Sequence, residues 1–213
     1  MRLHGLYAIT PDDADSARLA ARVRAALEGG DPGGWAALQY RSKLASRALR
    51  REQALTLAAL ARAKGIPFIV NDDIELAIEI GADGAHLGRE DGDLAAARRR
   101  ISGSLLGVSC YDSLALARAA VAAGADYVAF GSVFPSDTKP GAVRAPLTLF
   151  REAAALGVPL VAIGGIRLEN AAEVIRAGAQ ALAVLSDLFD APDIAARARA
   201  FTRLFALQRP VAA

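Results

Sequence analysis

A chain of 213 residues with 54% hydrophobic side chains is long enough to bury a full core and lies far from the composition of a disordered protein. A formal net charge of +2 argues against a nucleic-acid or membrane-surface partner, and the longest apolar stretch, 114–130, is broken by Arg118, Gly124 and Asp126, so it predicts no bilayer span. The single cysteine, Cys110, excludes an internal disulfide and fits a cytoplasmic location, while two histidines, His4 and His86, leave little for a histidine-based triad or a zinc site.

Short β-like runs alternate with Ala/Leu/Arg-rich stretches of helical period along the whole chain. Strands are predicted at 5–10, 36–41, 67–71, 84–87, 105–109, 127–130, 159–163 and 181–185. Helices are predicted at 16–27, 46–64, 74–80, 94–101, 114–123, 147–156, 169–177 and 194–207. Eight strand–helix pairs without a linker predict an α/β protein, a single (β/α)8 TIM barrel whose one catalytic domain spans residues 1–213; a doubly wound sheet is the competing layout. A weak repeat supports the alternation: Gly81-Ala82-Asp83, Gly124-Ala125-Asp126 and Gly178-Ala179-Gln180 each end a helix and precede a strand, with glycine in the left-handed stop position. These turns lie where strands begin, the face of a barrel that serves stability. The run Arg98 to Arg100 reads as a solvated helix face.

Barrel enzymes carry their chemistry at the carboxyl ends of the strands. The second strand ends in Gln39-Tyr40-Arg41-Ser42-Lys43, where alternation places Gln39, Arg41 and Lys43 on one face. Two cations at a barrel mouth are costly unless they meet an anion or water. Of the 25 basic residues only Lys43, Lys64 and Lys139 are lysine. Lys64 suits a helix end, where a cation complements the dipole, while the other two fall beside strand ends. The third strand ends in Asn71-Asp72-Asp73 and the fourth leads to Asp91. Asp73 and Asp93 are explained as helix N-caps. Asp72 and Asp91 are carboxylates from adjacent strand ends facing Arg41 and Lys43, and they suit Mg²⁺ completing its shell with phosphate oxygens. His86 reads as a core or supporting residue rather than a ligand.

The fifth strand ends in Ser109, an anion donor or a small turn residue, and in Cys110, a buried small hydrophobe. After the sixth strand, Gly131 to Ala142 carries hydroxyls, a carboxylate and Lys139, stiffened by Pro135 and Pro140. A loop of this length exceeds a turn and reads as an oxyanion holder. After the seventh and eighth strands, Gly164 and Gly165 would let main-chain N–H groups approach a phosphate with Ser186 opposite. One charged anion site and one neutral glycine cradle point to substitution at a carbon bearing diphosphate, with a phosphorylated nucleophile alongside.

These motifs resemble the thiamin-phosphate synthase (thiamin-phosphate pyrophosphorylase) family across essentially the whole chain. The matching segments are Leu6 to Thr10, Gln39 to Lys43, Asn71-Asp72, Gly81 to Gly88 with Asp91, Gly107 to Ser109, Gly131 to Ala142, and Ala162 to Ile166 with Asn170. The resemblance implies a Mg²⁺-dependent transferase of thiamine biosynthesis. It would couple 4-amino-2-methyl-5-(hydroxymethyl)pyrimidine diphosphate with 4-methyl-5-(2-phosphoethyl)thiazole through a carbocation, releasing pyrophosphate. It implies that Arg41, Lys43, Asn71, Ser109 and Lys139 hold the diphosphate and that Asp72 and Asp91 hold the metal. Gln39 would bind the pyrimidine; Ser136, Thr138, Gly165 and Ser186 would surround the thiazole phosphate. Its partners are these small molecules, with neither nucleic acid nor membrane, and a homo-oligomer is compatible with it. The chain departs from the family pattern at Arg89, where glutamine is usual, in having Pro11 where an acid usually follows the first strand (Asp12 comes one place on), and in the glycine-rich run before Trp35. A thiazole tautomerase on the same barrel would need a histidine after the fifth strand, where the chain reads Ser109-Cys110-Tyr111-Asp112. A Schiff-base aldolase using Lys43 and a non-catalytic phosphate binder are the remaining alternatives.

Overall fold

The computed structural model describes residues 3–89, 91–135 and 143–206. Eight parallel strands close into a barrel in sequence order: β1 Gly5–Ile9, β2 Trp35–Tyr40, β3 Phe68–Asn71, β4 Gly84–Leu87, β5 Leu105–Tyr111, β6 Tyr127–Gly131, β7 Leu160–Ile163 and β8 Ala181–Val184. The helices are α1 Ser16–Gly29, α2 Arg47–Ala63, α3 Ile74–Glu79, α4 Leu94–Arg100, α5 Leu114–Ala122, α6 Thr148–Ala153, α7 Leu168–Ala177, α8 Ser186–Phe189 and α9 Ile194–Ala206. Among the described residues, no helix is long and apolar enough to cross a membrane.

Strand alternation divides the apolar side chains into two cores. Tyr7, Ile9, Ala37, Ile69, Tyr127, Ala129, Val161 and Ala183 fill the barrel. Their neighbours along the same strands, among them Leu6, Ala8, Leu38, Tyr40, Val70 and Phe130, point outward against Leu19, Val23, Leu57, Phe150 and Phe201 of the helices. The barrel is therefore a packed interior, and its polar side chains of interest lie at the carboxyl ends of the strands.

Helix starts follow local hydrogen bonding. Asp15, Ser46, Asp73, Asp93 and Ser113 each accept a main-chain N–H of the first turn, as expected for Asp73 and Asp93. Lys64 is the C-cap of α2. The Gly-Ala-Asp/Gln repeat acquires a physical meaning. Its glycines have φ of 63°, 94° and 117°, and its third residue clamps the start of a neighbouring strand. Asp83 accepts Phe68 N–H at 2.8 Å, Asp126 accepts Leu106 N–H at 2.7 Å, and Gln180 accepts Leu160 N–H at 2.7 Å. Three N–H groups at strand openings are thus paired by side chains of the turns beside them.

Three details differ from the expectation. β5 runs two residues further, with a register shift between Ser109 and Tyr111. The expected helix at 147–156 ends as a 3₁₀ turn, Ala154–Leu156, before Gly157. The four-residue α8 was not expected, since so short a helix shows no 3.6-residue period. The glycine-rich run has a packing cause: a Cβ on Gly34 would lie 2.5 Å from Thr202 O, and one on Gly29 2.2 Å from Ala195 O, so α9 rests directly on this backbone.

Candidate active site

At the mouth, β1 and β2 are joined beyond their ladder by a side chain. Thr10 Oγ1 accepts Arg41 N–H at 3.0 Å and donates to Arg41 O at 3.2 Å. Two residues past Thr10, Asp12 holds the second strand's loop: one carboxylate oxygen accepts Lys43 N–H at 2.6 Å and the other the Arg41 guanidinium at 3.1 Å. The Arg41 and Asp12 side chains are only 19% and 24% exposed, so this pair is shielded enough to fix the guanidinium. The acid one place later than the family pattern therefore still reaches the cations. Lys43 itself is exposed. That counts against a Schiff-base nucleophile, which needs a desolvated amine.

Asn71 ends β3, and Asp72 follows with φ of 64° while its N–H donates to His86 O at 2.8 Å. This turn brings the Asp72 carboxyl within hydrogen-bonding reach of Asp91. Burial first, then the hydrogen bond with Asp91 and after it the Asp91 charge, push Asp72 up to about 6, against the opposing pull of Lys43 and Arg41. Asp91 is aimed by its own loop, Oδ2 accepting Gly88 N–H at 2.5 Å. Two carboxylates forced together with cations nearby form a donor set for a hard cation that keeps part of its shell for phosphate and water. Among the described residues they are a pair and not part of a larger cage of acids, histidine or cysteine. Arg89 does not enter this pair: its guanidinium lies 5.0 Å over the Tyr111 ring.

Below the mouth, Gln39 is buried at the barrel end of β2. Ser109 Oγ lies 2.8 Å from His86 Nε2, His86 Nδ1 lies 3.1 Å from Tyr127 Oη, and Tyr127 Oη lies 2.7 Å from Tyr7 Oη. Burial holds His86 down at about 4, so its imidazole is neutral at physiological pH. It is the supporting residue the sequence suggested. Cys110 points to the outer core, and burial pushes its thiol up to about 12, which leaves it inert.

On the opposite rim, Gly164 and Gly165 have φ of 98° and 63°. A Cβ on Gly164 would meet Ser132 Oγ at 2.5 Å, and one on Gly165 would meet Pro135 O at 2.3 Å. The glycine pair is thus demanded by the loop that leaves β6, a cause separate from any ligand. Asn170 secures the turn, donating to Gly165 O at 3.0 Å and accepting Arg167 N–H at 2.9 Å. Gly165→Ala is expected to cost about 2 kcal/mol, a fall of roughly 4–8 °C in Tm readable by calorimetry. Ser186, exposed, is the first residue of α8. Ser136, Thr138 and Lys139 lie outside the described residues, as does the rest of 136–142.

The fold thus brings Gln39, Arg41, Lys43, Asn71, Asp72, Asp91 and Ser109 to one end of the barrel. Sequence reasoning missed what Asp12 does, and it missed Tyr7 and Tyr127. Strand alternation alone puts both tyrosines inside the barrel, and a phenol there needs a polar partner.

Comparison with known proteins agrees with this geometry. A family model described as thiamine monophosphate synthase matches residues 6–188. The chain is 62% identical over 206 residues to a thiamine-phosphate synthase of Aromatoleum aromaticum, covering 96% of this chain and 97% of that one. It is 59% identical to a thiamine-phosphate synthase of Chromobacterium violaceum, with 96% and 97% covered. The solved structure of a thiamine phosphate pyrophosphorylase from Pyrococcus furiosus superposes with a TM-score of 0.85 at 34% identity, covering 97% of both chains.

Proposed function

Because the chain belongs to the thiamine monophosphate synthase family, we infer that it joins 4-amino-2-methyl-5-(hydroxymethyl)pyrimidine diphosphate to 4-methyl-5-(2-phosphoethyl)thiazole, releasing thiamin phosphate and pyrophosphate. The observation that carries this reading is the meeting of two cations and two carboxylates at one barrel mouth, above a buried amide. That arrangement suits a leaving diphosphate and a neutral heterocycle held beneath it.

The proposed reaction begins when the bond between the pyrimidine methylene and the diphosphate oxygen breaks and the electron pair leaves with the diphosphate. Arg41, Lys43, Asn71 and Ser109 receive the growing negative charge, with Lys139 joining them, and Arg41 is already aimed by Asp12. Gln39 holds the pyrimidine ring while the cationic carbon awaits its nucleophile. The thiazole nitrogen then donates its lone pair to that carbon, its phosphate held near Gly165, Ser136, Thr138 and Ser186. Asp72 and Asp91 would hold Mg²⁺, whose contribution when bound is to neutralise diphosphate charge. No general base is required by this chemistry, which agrees with a neutral, buried His86. The packed interior of Tyr7, Ile9, Ile69 and Val161 keeps water from below the reacting carbon.

Incubation with both substrates and Mg²⁺ tests the reading: thiamin phosphate and pyrophosphate should form in equal amounts, and a chelator should stop the reaction. Absence of thiamin phosphate from folded enzyme would overturn it. A pH dependence follows from Asp72, raised to about 6 in the metal-free protein. Below that pH a proton occupies the carboxylate, so cation affinity should fall by up to about tenfold per unit. The stability sign is opposite: a carboxyl raised above its unfolded value favours the fold at low pH and loses that contribution as pH rises through about 6. Activity lost between pH 7 and 5 through this group should therefore come without a fall in Tm.

A further inference from the structure

The hydrogen-bonded series Tyr7–Tyr127–His86–Ser109 runs from the closed interior of the barrel to its mouth, and three of its four members lie inside the packed core or its edge. We propose that Tyr127 and His86 are positioning residues which commit the Ser109 hydroxyl proton toward the diphosphate, through a one-way chain of donors that starts at Tyr7.

The direction follows from counting donors. Tyr7 is buried, and among the described residues its hydroxyl bonds only to Tyr127. If Tyr7 donates, Tyr127 accepts and is free to donate to His86 Nδ1, which leaves the ring proton on Nε2 pointing at Ser109 Oγ. Ser109 then accepts from the ring, and among the described residues its own proton has no acceptor, so it is presented to the mouth. The reverse order would have Ser109 donate inward and each group pass its proton down, ending with a Tyr7 proton that has no acceptor in a dry interior. A buried donor without a partner decides between the two orders, and the inward one loses.

Packing holds the series in place. A Cβ on Gly107 would lie 2.0 Å from Tyr127 Cζ and 2.2 Å from its Oη, so the phenol occupies the space that glycine leaves and cannot swing toward β5. The rings of His86 and Tyr127 are 5.6 Å apart at 31°, and those of Tyr7 and Tyr127 are 6.0 Å apart. A serine hydroxyl free to rotate offers an anion either a proton or a lone pair. One that accepts from an imidazole N–H offers the proton, the form that stabilises charge as the diphosphate departs. The proposal rests on the assignment of Ser109 to the diphosphate given above.

Two measurements test it. In the wild-type protein with ¹⁵N-labelled histidine, NMR should find the His86 proton on Nε2; a proton on Nδ1 overturns the chain's direction, and no variant has to fold for this result. In kinetics, Tyr127→Phe should lower kcat by about tenfold with KM for the pyrimidine diphosphate changed by less than about twofold. The same substitution made in Ser109→Ala should cost less than about twofold in kcat, because nothing is left to orient. An equal loss in both backgrounds would show a merely structural phenol and overturn the proposal. Undiminished kcat in Ser109→Ala would overturn the assignment of Ser109 to the diphosphate, and with it the proposal; the tautomer measurement tells that failure from a wrong direction of the chain.

Discussion

Asp91→Asn is expected to lower Mg²⁺-dependent turnover by about 10²–10³-fold while changing thiazole phosphate binding by less than about twofold. The asymmetry follows from where the side chain sits. Asp91 lies beside Asp72 on the third and fourth strand ends, whereas the proposed thiazole phosphate groups belong to the far rim, after β6 to β8. Asparagine can still accept the Gly88 N–H through its amide oxygen, so the loop should keep its shape. What it removes is a formal charge from the carboxylate pair proposed to hold the cation. Steady-state rates across a Mg²⁺ titration, with calorimetric binding of thiazole phosphate, check this. Equal loss of both functions would count against a metal role for Asp91.

Arg41→Ala should cost about 10²–10³-fold in kcat with little loss of Tm. The two hydrogen bonds that join Arg41 to Thr10 use the Arg41 main chain, so alanine keeps them. Asp12 likewise keeps its bond to the Lys43 N–H. The variant therefore loses the guanidinium without loosening the β1–β2 junction. Arg41→Lys should recover only part of the rate, since an ammonium cannot span Asp12 and a phosphate oxygen with one planar fork. A single-turnover rate unchanged in Arg41→Ala would sink the assignment of Arg41 to the departing diphosphate. A large drop in Tm would contradict the main-chain argument.

The fold was legible because every strand is short, apolar and punctuated, and because Asp73, Asp93 and the three Gly-Ala turns mark helix ends by local chemistry alone. Gln39 facing inward and Tyr40 facing outward also follow from strand alternation; Tyr40 donates to Gln53 of α2 at 2.8 Å. What could not be read depends on distant partners. Asp12 meets Arg41 across 29 residues, and Tyr7 meets Tyr127 across 120, so neither pairing leaves a periodic signal. That Gly164 and Gly165 must be glycine because Ser132 and Pro135 fill the space a side chain would need is another such distant contact. The stacking of Arg89 over the Tyr111 ring, 22 residues on, likewise leaves no local signal.

The positive φ of Asp72 narrows what this site can become. Among non-glycine residues aspartate and asparagine, and next to them histidine, enter that backbone region most readily. Lengthening the carboxylate to glutamate, or trading it for cysteine to attract a softer metal at the proposed site, would have to overcome the backbone before any coordination chemistry could begin. Neutral drift at this position should therefore run between Asp and Asn, and a laboratory selection for a different cation should find its solutions at Asp91 and leave Asp72 alone.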